Sequence, residues 1–214
     1  MSHTLKLARL LEVLRAGEAL AADVALRQAQ LARVNWMARA LQKQAAQERG
    51  HAAMASAALT LTGMRRAQKS MDGVTAPLRA CIEHDLETGN LAASLLGLQG
   101  VVEHLGEALL ESMGRYEHPA GVILHALRVK VLAQERGHLL LGARCLQALA
   151  SFGRDEEPEL LDQYRALGRD AAIRVATLLD DARLNANVFW RNVDERLTHW
   201  QSPSCDRQVQ TPNA

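Results

Sequence analysis

Aromatic residues and prolines are scarce in this chain, and β-branched runs are nearly absent. Phe, Trp and Tyr together make up 3% of its 214 residues, and only five prolines occur. Ala and Leu, both strong helix formers, are abundant instead. The composition argues against a sheet-based fold and predicts an all-α protein.

Cysteines and long apolar runs are also lacking. Cys81, Cys145 and Cys205 are odd in number and far apart, which argues against a disulfide framework and favours a reducing compartment. No apolar run reaches the length needed to span a bilayer. The first residues lack the apolar segment of a signal peptide. We therefore expect a cytoplasmic protein with no membrane partner.

Neither sign of charge is in excess. The chain has 25 basic and 24 acidic residues, so the electrostatic footprint of a nucleic-acid-binding protein is missing, and nucleic acid is not an expected partner. With 48% hydrophobic and 23% charged residues, the composition is that of a globular protein. We expect one helical domain over residues 1–200 and a disordered polar tail over 201–214.

Apolar residues recur three and four positions apart, which is the pattern of helices that bury one face. Pro77 is expected in the first turn of a helix, because proline lacks the N–H that a helix interior needs. The segment 65–76 is expected to be a loop. The predicted helices span residues 4–33, 36–61, 77–113 and 121–151, with further helices between 159 and 200.

One hexapeptide occurs twice in the chain. Residues 46–51 and 133–138 both read Ala-Gln-Glu-Arg-Gly-His, and each copy lies in the middle of a predicted helix. Glu and His three residues apart share one face of a helix, so each copy points a carboxylate and an imidazole at the same place. The repeat fits two helix hairpins that stack as a pseudo-symmetric pair.

Each of the other two long helices has a lone acidic residue on its apolar face. Glu18 interrupts the apolar stripe of the first helix, and Glu103 is the inward acid of the third. A charge on a buried face is costly unless it is paired or bound to a metal ion. Glu107, one turn from Glu103, is an alternative or additional ligand, although Glu103 matches the position of Glu18 better.

These residues make up a predicted set of six metal ligands. Four carboxylates balance the charge of two divalent cations, and one neutral imidazole completes each metal. Carboxylate and imidazole ligands without thiolate favour iron or manganese over structural zinc. We expect two Fe ions, with Mn or a mixed Mn/Fe pair as alternatives. The predicted metal-ligating and catalytic residues are Glu18, Glu48, His51, Glu103, Glu135 and His138.

Two further pairs within the repeat are open to more than one interpretation. Gln47 and Gln134 either hydrogen-bond to the metal ligands or face solvent. Gly50 and Gly137 either permit close helix contact, or leave space beside the metals, or descend from one duplicated hairpin. The sequence does not decide between these interpretations.

A Glu from each of two helices and Glu-x-x-His from each of the other two is the pattern of di-iron and di-manganese carboxylate bundles. On these motifs the chain resembles the ferritin-like superfamily. The resemblance implies a ferritin-like four-helix bundle with additional C-terminal helices. The stretches that carry it are Ala16-Gly17-Glu18, Gln47-Glu48-Arg49-Gly50-His51, Val101-Val102-Glu103 and Gln134-Glu135-Arg136-Gly137-His138.

The length of chain beyond His138 narrows the choice within the superfamily. Bacterioferritins have the same six ligands but a short fifth helix, whereas this chain looks more like O2-dependent enzymes such as the aldehyde-deformylating oxygenases and the tRNA-hydroxylating di-iron enzymes. The resemblance implies a di-iron oxidoreductase of the monooxygenase kind that activates O2 and oxidises a small apolar molecule. Its expected partners are O2, that substrate and an electron-donor protein, and a homodimer is compatible with the layout. The alternative is a ferritin-like or bacterioferritin-like iron-binding or ferroxidase protein.

Overall fold

The computed structural model describes residues 3–61, 72–113, 121–150, 158–181 and 186–199. These ranges are helical apart from short turns and contain no strand, so the predicted all-α fold is confirmed. The elements are α1 (His3–Leu31), α2 (Asn35–Leu61), α3 (Asp72–Glu87), α4 (Leu91–Gly97), a π-helical segment (Leu98–Val102), α5 (Glu103–Ser112), α6 (Gly121–Ala150), α7 (Pro158–Asp181) and α8 (Ala186–His199).

Four long rods form the central bundle. Helices α1 and α2 pack against each other along most of their length, and α6 packs against α2. The fourth rod is continuous from α4 through the π-helical segment into α5, and it lies against α6 and α1. Fully buried leucines such as Leu11, Leu41 and Leu95 fill the space between the rods. Each contributes roughly 1.5–3 kcal/mol on burial, so packing holds the bundle together.

The expected start of the third helix is wrong. Helix α3 begins at Asp72, so Pro77 lies inside the helix, and the end of the predicted loop 65–76 is helical. Because Pro77 has no N–H, it cannot bond to the carbonyl of Gly73 four residues earlier. Arg174 of α7 donates to that carbonyl instead, at 2.8 Å. A tertiary contact therefore satisfies the acceptor that the proline leaves free.

The predicted helix 77–113 is also interrupted. Gly89 takes a φ of +74°, and Asn90 N donates to Asp85 O while Gly89 N donates to Leu86 O. These two bonds form a Schellman motif, which ends α3. The Asn90 side chain then accepts from Ala93 N at 3.1 Å and caps α4. Two helices with a tight turn therefore replace one long helix.

The C-terminal region adds two helices to the bundle, as predicted. Helix α7 packs on α3 and α1, and its buried Tyr164 hydroxyl donates to Asp85 of α3. Helix α8 packs on α5 and α7, and Glu111 of α5 accepts from Asn192 at 2.7 Å and from Arg196 at 2.9 Å. The predicted tail 201–214 lies outside the described residues. None of the described helices has the length and apolar character needed to cross a bilayer.

Candidate metal centre

The four rods bring all six predicted ligands to one buried place, where each side chain is at most 7% exposed. The ligating atoms fall into two overlapping groups, and within each group they lie within 4.8 Å of one another. Glu48 belongs to both groups. One group contains Glu18, Glu48, His51 and Glu135, and the other contains Glu48, Glu103 and His138.

Both imidazoles turn the same nitrogen, Nδ1, toward the carboxylates. His51 Nδ1 lies 3.1 Å from Glu18 Oε2 and 3.0 Å from Glu48 Oε2. His138 Nδ1 lies 2.7 Å from Glu48 Oε1 and 3.6 Å from Glu103 Oε2. The two ring centroids are 6.1 Å apart. Nδ1 is therefore the nitrogen of each imidazole that faces the carboxylate cluster.

The other nitrogen of each imidazole contacts a glutamine of the opposite repeat. His51 Nε2 donates to Gln134 Oε1 at 2.7 Å, and His138 Nε2 donates to Gln47 Oε1 at 3.1 Å. An amide oxygen that accepts from Nε2–H leaves the Nδ1 lone pair free to face a cation. Of the two interpretations that the sequence left open for these glutamines, the structure supports the hydrogen bond to the ligands.

Three further glutamines, which sequence reasoning missed, lie at most 1% exposed behind the cluster. Gln44 Nε2 donates to Glu103 Oε1 at 2.6 Å and to Glu48 Oε1 at 3.3 Å. Gln99 Nε2 in turn donates to Gln44 Oε1 at 3.0 Å and to Gln28 Oε1 at 2.9 Å. The signal in the sequence was spacing, because Gln44 and Gln99 each come four residues before a ligand and share its helix face.

The π-helical segment lies directly before Glu103 and contains Gln99. π-helical turns inside α-helices often occur at functional sites, since the wider turn changes the direction of the side chains that follow. Gly142 of α6 lies against this segment, and a Cβ there would stand 2.4 Å from the Cβ of Gln99. The glycine therefore permits α6 to approach the π-helical segment closely.

Glu103 and Glu107 differ in their contacts. Glu107 is buried but faces two guanidinium groups, with its carboxylate 3.6 Å from Arg136 Nε and 3.5 Å from Arg196 Nε. It belongs to neither group of ligating atoms, whereas Glu103 does. Glu107 thus has an ion-pairing role between α5, α6 and α8.

Burial and hydrogen bonding divide the protons unevenly among the six groups. Burial raises the pKa of Glu18 and of Glu103 well above the ordinary range. Burial also lowers the pKa of His51 and His138, but hydrogen bonds to three carboxylates each outweigh it and raise both to about 12. The pKa of Glu48 is lowered although burial opposes this, because the imidazoles of His138 and His51 lie 2.7 Å and 3.0 Å from its oxygens.

Glu135 completes this distribution. Burial raises its pKa, but hydrogen bonds with Glu103, His138 and His51 lower it overall. The cluster thus favours protons on the two imidazoles and on Glu18 and Glu103, and negative charge on Glu48 and Glu135. Two divalent cations would balance the same four carboxylates once those protons had left.

Two buried atoms of the cluster fit a metal ion better than they fit a hydrogen bond. Glu135 Oε1 and His138 Nδ1 have no hydrogen bond of normal geometry to any described residue, although His138 Nδ1 is 2.7 Å from Glu48 Oε1. Buried polar atoms normally have partners, and lone pairs that converge on one small space are what a cation coordinates. The donor set is therefore suited to metal binding, and its oxygen and imidazole ligands suit iron or manganese.

An apolar cavity of about 60 Å³ lies beside the cluster. Glu18, Glu103 and Glu135 form part of its wall. Helix α7 contributes Ala171 and Val175, so the C-terminal addition helps to shape the pocket. Its apolar lining includes Val13, Leu14, Leu78, Leu105, Leu109 and Val175.

Comparison with known proteins gives a structural relationship only. No protein-family model matches the chain, and no curated protein matches its sequence. Among solved structures, a Synechococcus protein described as having aldehyde deformylating oxidase activity is similar, with a TM-score of 0.81. The likeness covers 94% of each chain at 15% sequence identity. It confirms the ferritin-like fold that the motifs predicted.

Proposed function

We propose that the chain is an O2-dependent di-iron oxidoreductase that oxidises a small, neutral, apolar molecule. The observation that carries this proposal is the position of the apolar cavity, whose wall includes three carboxylates of the candidate metal centre. A ligand in the cavity would lie beside the metals, as an oxidation reaction requires. The proposal rests on this arrangement and on the ferritin-like fold.

The residues of the cluster would hold the two metals and set their charge. His51 and His138 would each offer Nδ1 to one metal, and Glu48, which belongs to both groups, would serve both. Two iron ions would supply electrons that reduce O2. The four carboxylates favour the oxidised metals because anionic oxygen ligands stabilise higher positive charge.

The cavity would select and protect the substrate. Apolar walls bind an apolar body and exclude water, and none of the described lining residues is basic and could pair with an anionic head group. Aldehydes are candidate substrates, since the similar Synechococcus protein has aldehyde deformylating oxidase activity. Incorporation of one oxygen atom into the substrate reduces the other to water, with two protons and two electrons. We therefore propose an electron-donor protein as a partner.

Iron oxidation for storage is the second candidate, since a ferroxidase centre uses similar ligands. The apolar cavity favours the enzyme, because a path for hydrated iron ions would need polar walls. Helix α7 lies on the bundle and lines this cavity, so it would contact a substrate bound there.

Rapid mixing with O2 tests the proposal. We expect protein loaded with Fe(II) under anaerobic conditions to show a fast absorbance change with O2, and a faster one with a straight-chain aldehyde present. Mass spectrometry after reaction with 18O2 should find labelled oxygen in the product. Light scattering should give a small particle. A large closed shell that accumulates iron far beyond two ions per chain would favour storage, and no reaction with O2, with or without substrate, would contradict both candidates.

A further inference from the structure

Four residues that line the cavity are partly exposed, namely Gly17, Thr75, Val102 and Gly106, and two of them are glycines. Gly17 of α1 and Gly106 of α5 both line the cavity, and both are partly exposed. Glu18 follows Gly17 directly, and Glu103 lies one turn before Gly106, yet both acids are buried. The two glycines therefore lie between the solvent and the carboxylates of the candidate metal centre.

Packing does not explain why these positions are glycine. A Cβ added at Gly17 or at Gly106 would meet no atom within 4 Å. At Gly97 and Gly168, by contrast, a Cβ would collide at 2.5 Å and 2.7 Å with side chains of neighbouring helices. Glycine destabilises a helix interior relative to alanine. The absence of a side chain at Gly17 and at Gly106 leaves open space along the cavity.

The helices that bear the two glycines border a gap in the bundle. Helix α1 packs on α2, α3 and the π-helical segment, but α1 and α5 hardly approach each other. Helix α7 contacts both α1 and α5, and Leu78 of α3 and Ala171 and Val175 of α7 form a further, apolar part of the cavity wall. A molecule that entered between α1 and α5 would thus meet an apolar back wall, with carboxylates at its side.

We infer that Gly17 and Gly106 border the entrance to this cavity, and that their missing side chains set the width of the entrance. The ligand that fits is slender and uncharged, such as an unbranched alkyl chain with a small neutral oxygen group. Leucine and valine walls bind the chain, and none of the described residues that line the cavity is basic and could pair with an anionic head. The inference rests on the proposed function for the nature of the ligand.

Binding of 1-octanol to full-length protein loaded with Co(II) tests the inference. Isothermal titration calorimetry measures the affinity, and the visible spectrum of Co(II) reports whether the alcohol reaches the metals. We expect Gly17→Leu and Gly106→Leu each to weaken binding about tenfold or more, and the double variant to abolish it. Gly17→Ala and Gly106→Ala should have smaller effects and raise the thermal unfolding temperature, because their methyl groups stand in open space.

Gly137→Leu on α6 is the matched control, since Gly137 is exposed, has no atom within 4 Å of a Cβ and does not line the cavity. It should bind octanol like the natural chain. If the double leucine variant had normal Co(II) content and bound octanol as tightly as the natural chain, the inference about the entrance would be wrong. Lowered unfolding temperatures in the alanine variants would also contradict it. Absence of octanol binding by the natural chain would overturn the entrance and the apolar substrate together, while the O2 experiment decides the di-metal centre separately.

Discussion

Each imidazole in the cluster is held on both sides, by carboxylates at Nδ1 and by a glutamine at Nε2. Each glutamine contacts the histidine of the other repeat. This is possible because α2 and α6 lie side by side, so that a residue next to the ligand face reaches the neighbouring helix. The sequence alone could not predict this, since glutamine is as compatible with solvent as with a buried contact. The acidic ligands were predictable, because a charge within an apolar stripe requires a partner.

The exchanged glutamines lead to a prediction about which metal each one affects. Gln134→Ala should lower the affinity for the metal bound by His51, and Gln47→Ala should lower the affinity for the metal bound by His138. We expect each change to be about tenfold or more. Competition with a chromophoric chelator measures the two affinities, and NMR of Zn(II)-loaded protein detects loss of the corresponding Nε2–H signal. Gln42→Ala, an exposed glutamine of α2, is the control. An effect confined to the metal of the variant's own repeat would contradict the exchange.

The two overlapping groups of ligands predict different metal contents for different variants. Glu48→Ala should remove both metals, because Glu48 belongs to both groups, whereas Glu18→Ala and Glu103→Ala should each leave one. Elemental analysis of folded protein gives the content per chain, and circular dichroism should show retained helix. Glu107→Gln is the control and should retain both metals, since Glu107 faces Arg136 and Arg196. Loss of metal in that variant would return Glu107 to the ligand set.

At the scale of helices, apolar periodicity predicted α1, α2 and α6 closely. It failed where turn residues or side-chain contacts determine where a helix begins or ends. The break at Gly89 was missed because Leu86 and Leu91 keep the pattern of buried residues through the turn. The early start of α3 was missed because Arg174, distant in sequence, satisfies the carbonyl that Pro77 leaves free. The π-helical segment likewise depends on packing against α6, which no single helix encodes.

The glycines of the helices should respond to alanine with opposite signs. Gly50 and Gly137 are exposed, and a Cβ at either would meet nothing within 4 Å, which contradicts both close helix contact and space beside the metals. Gly50→Ala and Gly137→Ala should therefore stabilise the protein by about 0.5–1 kcal/mol each. Gly142→Ala should destabilise it by about 1–3 kcal/mol, because the new methyl group overlaps Gln99.

Urea denaturation at constant metal content measures these three changes. Stabilisation by Gly142→Ala would mean that α6 can move away from the π-helical segment at little cost. Destabilisation by Gly50→Ala or Gly137→Ala would show that the exposed faces of α2 and α6 are covered by another part of the assembly.

For the molecule as a whole, we expect the buried acids to lower the stability of the metal-free fold and to provide a site that metal ions stabilise. The apolar stripes hold the rods together, while four carboxylates and two imidazoles occupy places where leucine or alanine would pack without a charge. A cluster of this kind is costly to bury until cations bind. The sequence showed this conflict directly, whereas the cavity, which needs α1, α3, α5 and α7 together, became visible only in the assembled fold.

This cost leads to a prediction about variants that lack the charge of one buried acid. Their stability should be unchanged or higher without metal, and lower than that of the natural chain with metal. In the presence of a chelator, Glu18→Gln and Glu103→Gln should leave the thermal unfolding temperature unchanged or raise it. Burial already raises the pKa of both acids well above the ordinary range, so a neutral amide replaces a group that is neutral in the metal-free fold. With saturating Mn(II), the natural chain should gain about 2.7 kcal/mol for each metal bound at a free metal concentration of 100 times its Kd, and the variants should gain less.

Tyr164→Phe provides the control for this comparison. It removes the buried hydrogen bond from Tyr164 to Asp85, away from the metal cluster, and should cost about 1–3 kcal/mol equally with and without metal. Calorimetric scans of the three variants and the natural chain, each with chelator and with Mn(II), provide the test. If Glu18→Gln and Glu103→Gln lowered stability as strongly in chelator as in Mn(II), the acids would stabilise the fold by themselves. The cluster would then be a structural hydrogen-bond network, because a metal centre predicts a loss that depends on the cation.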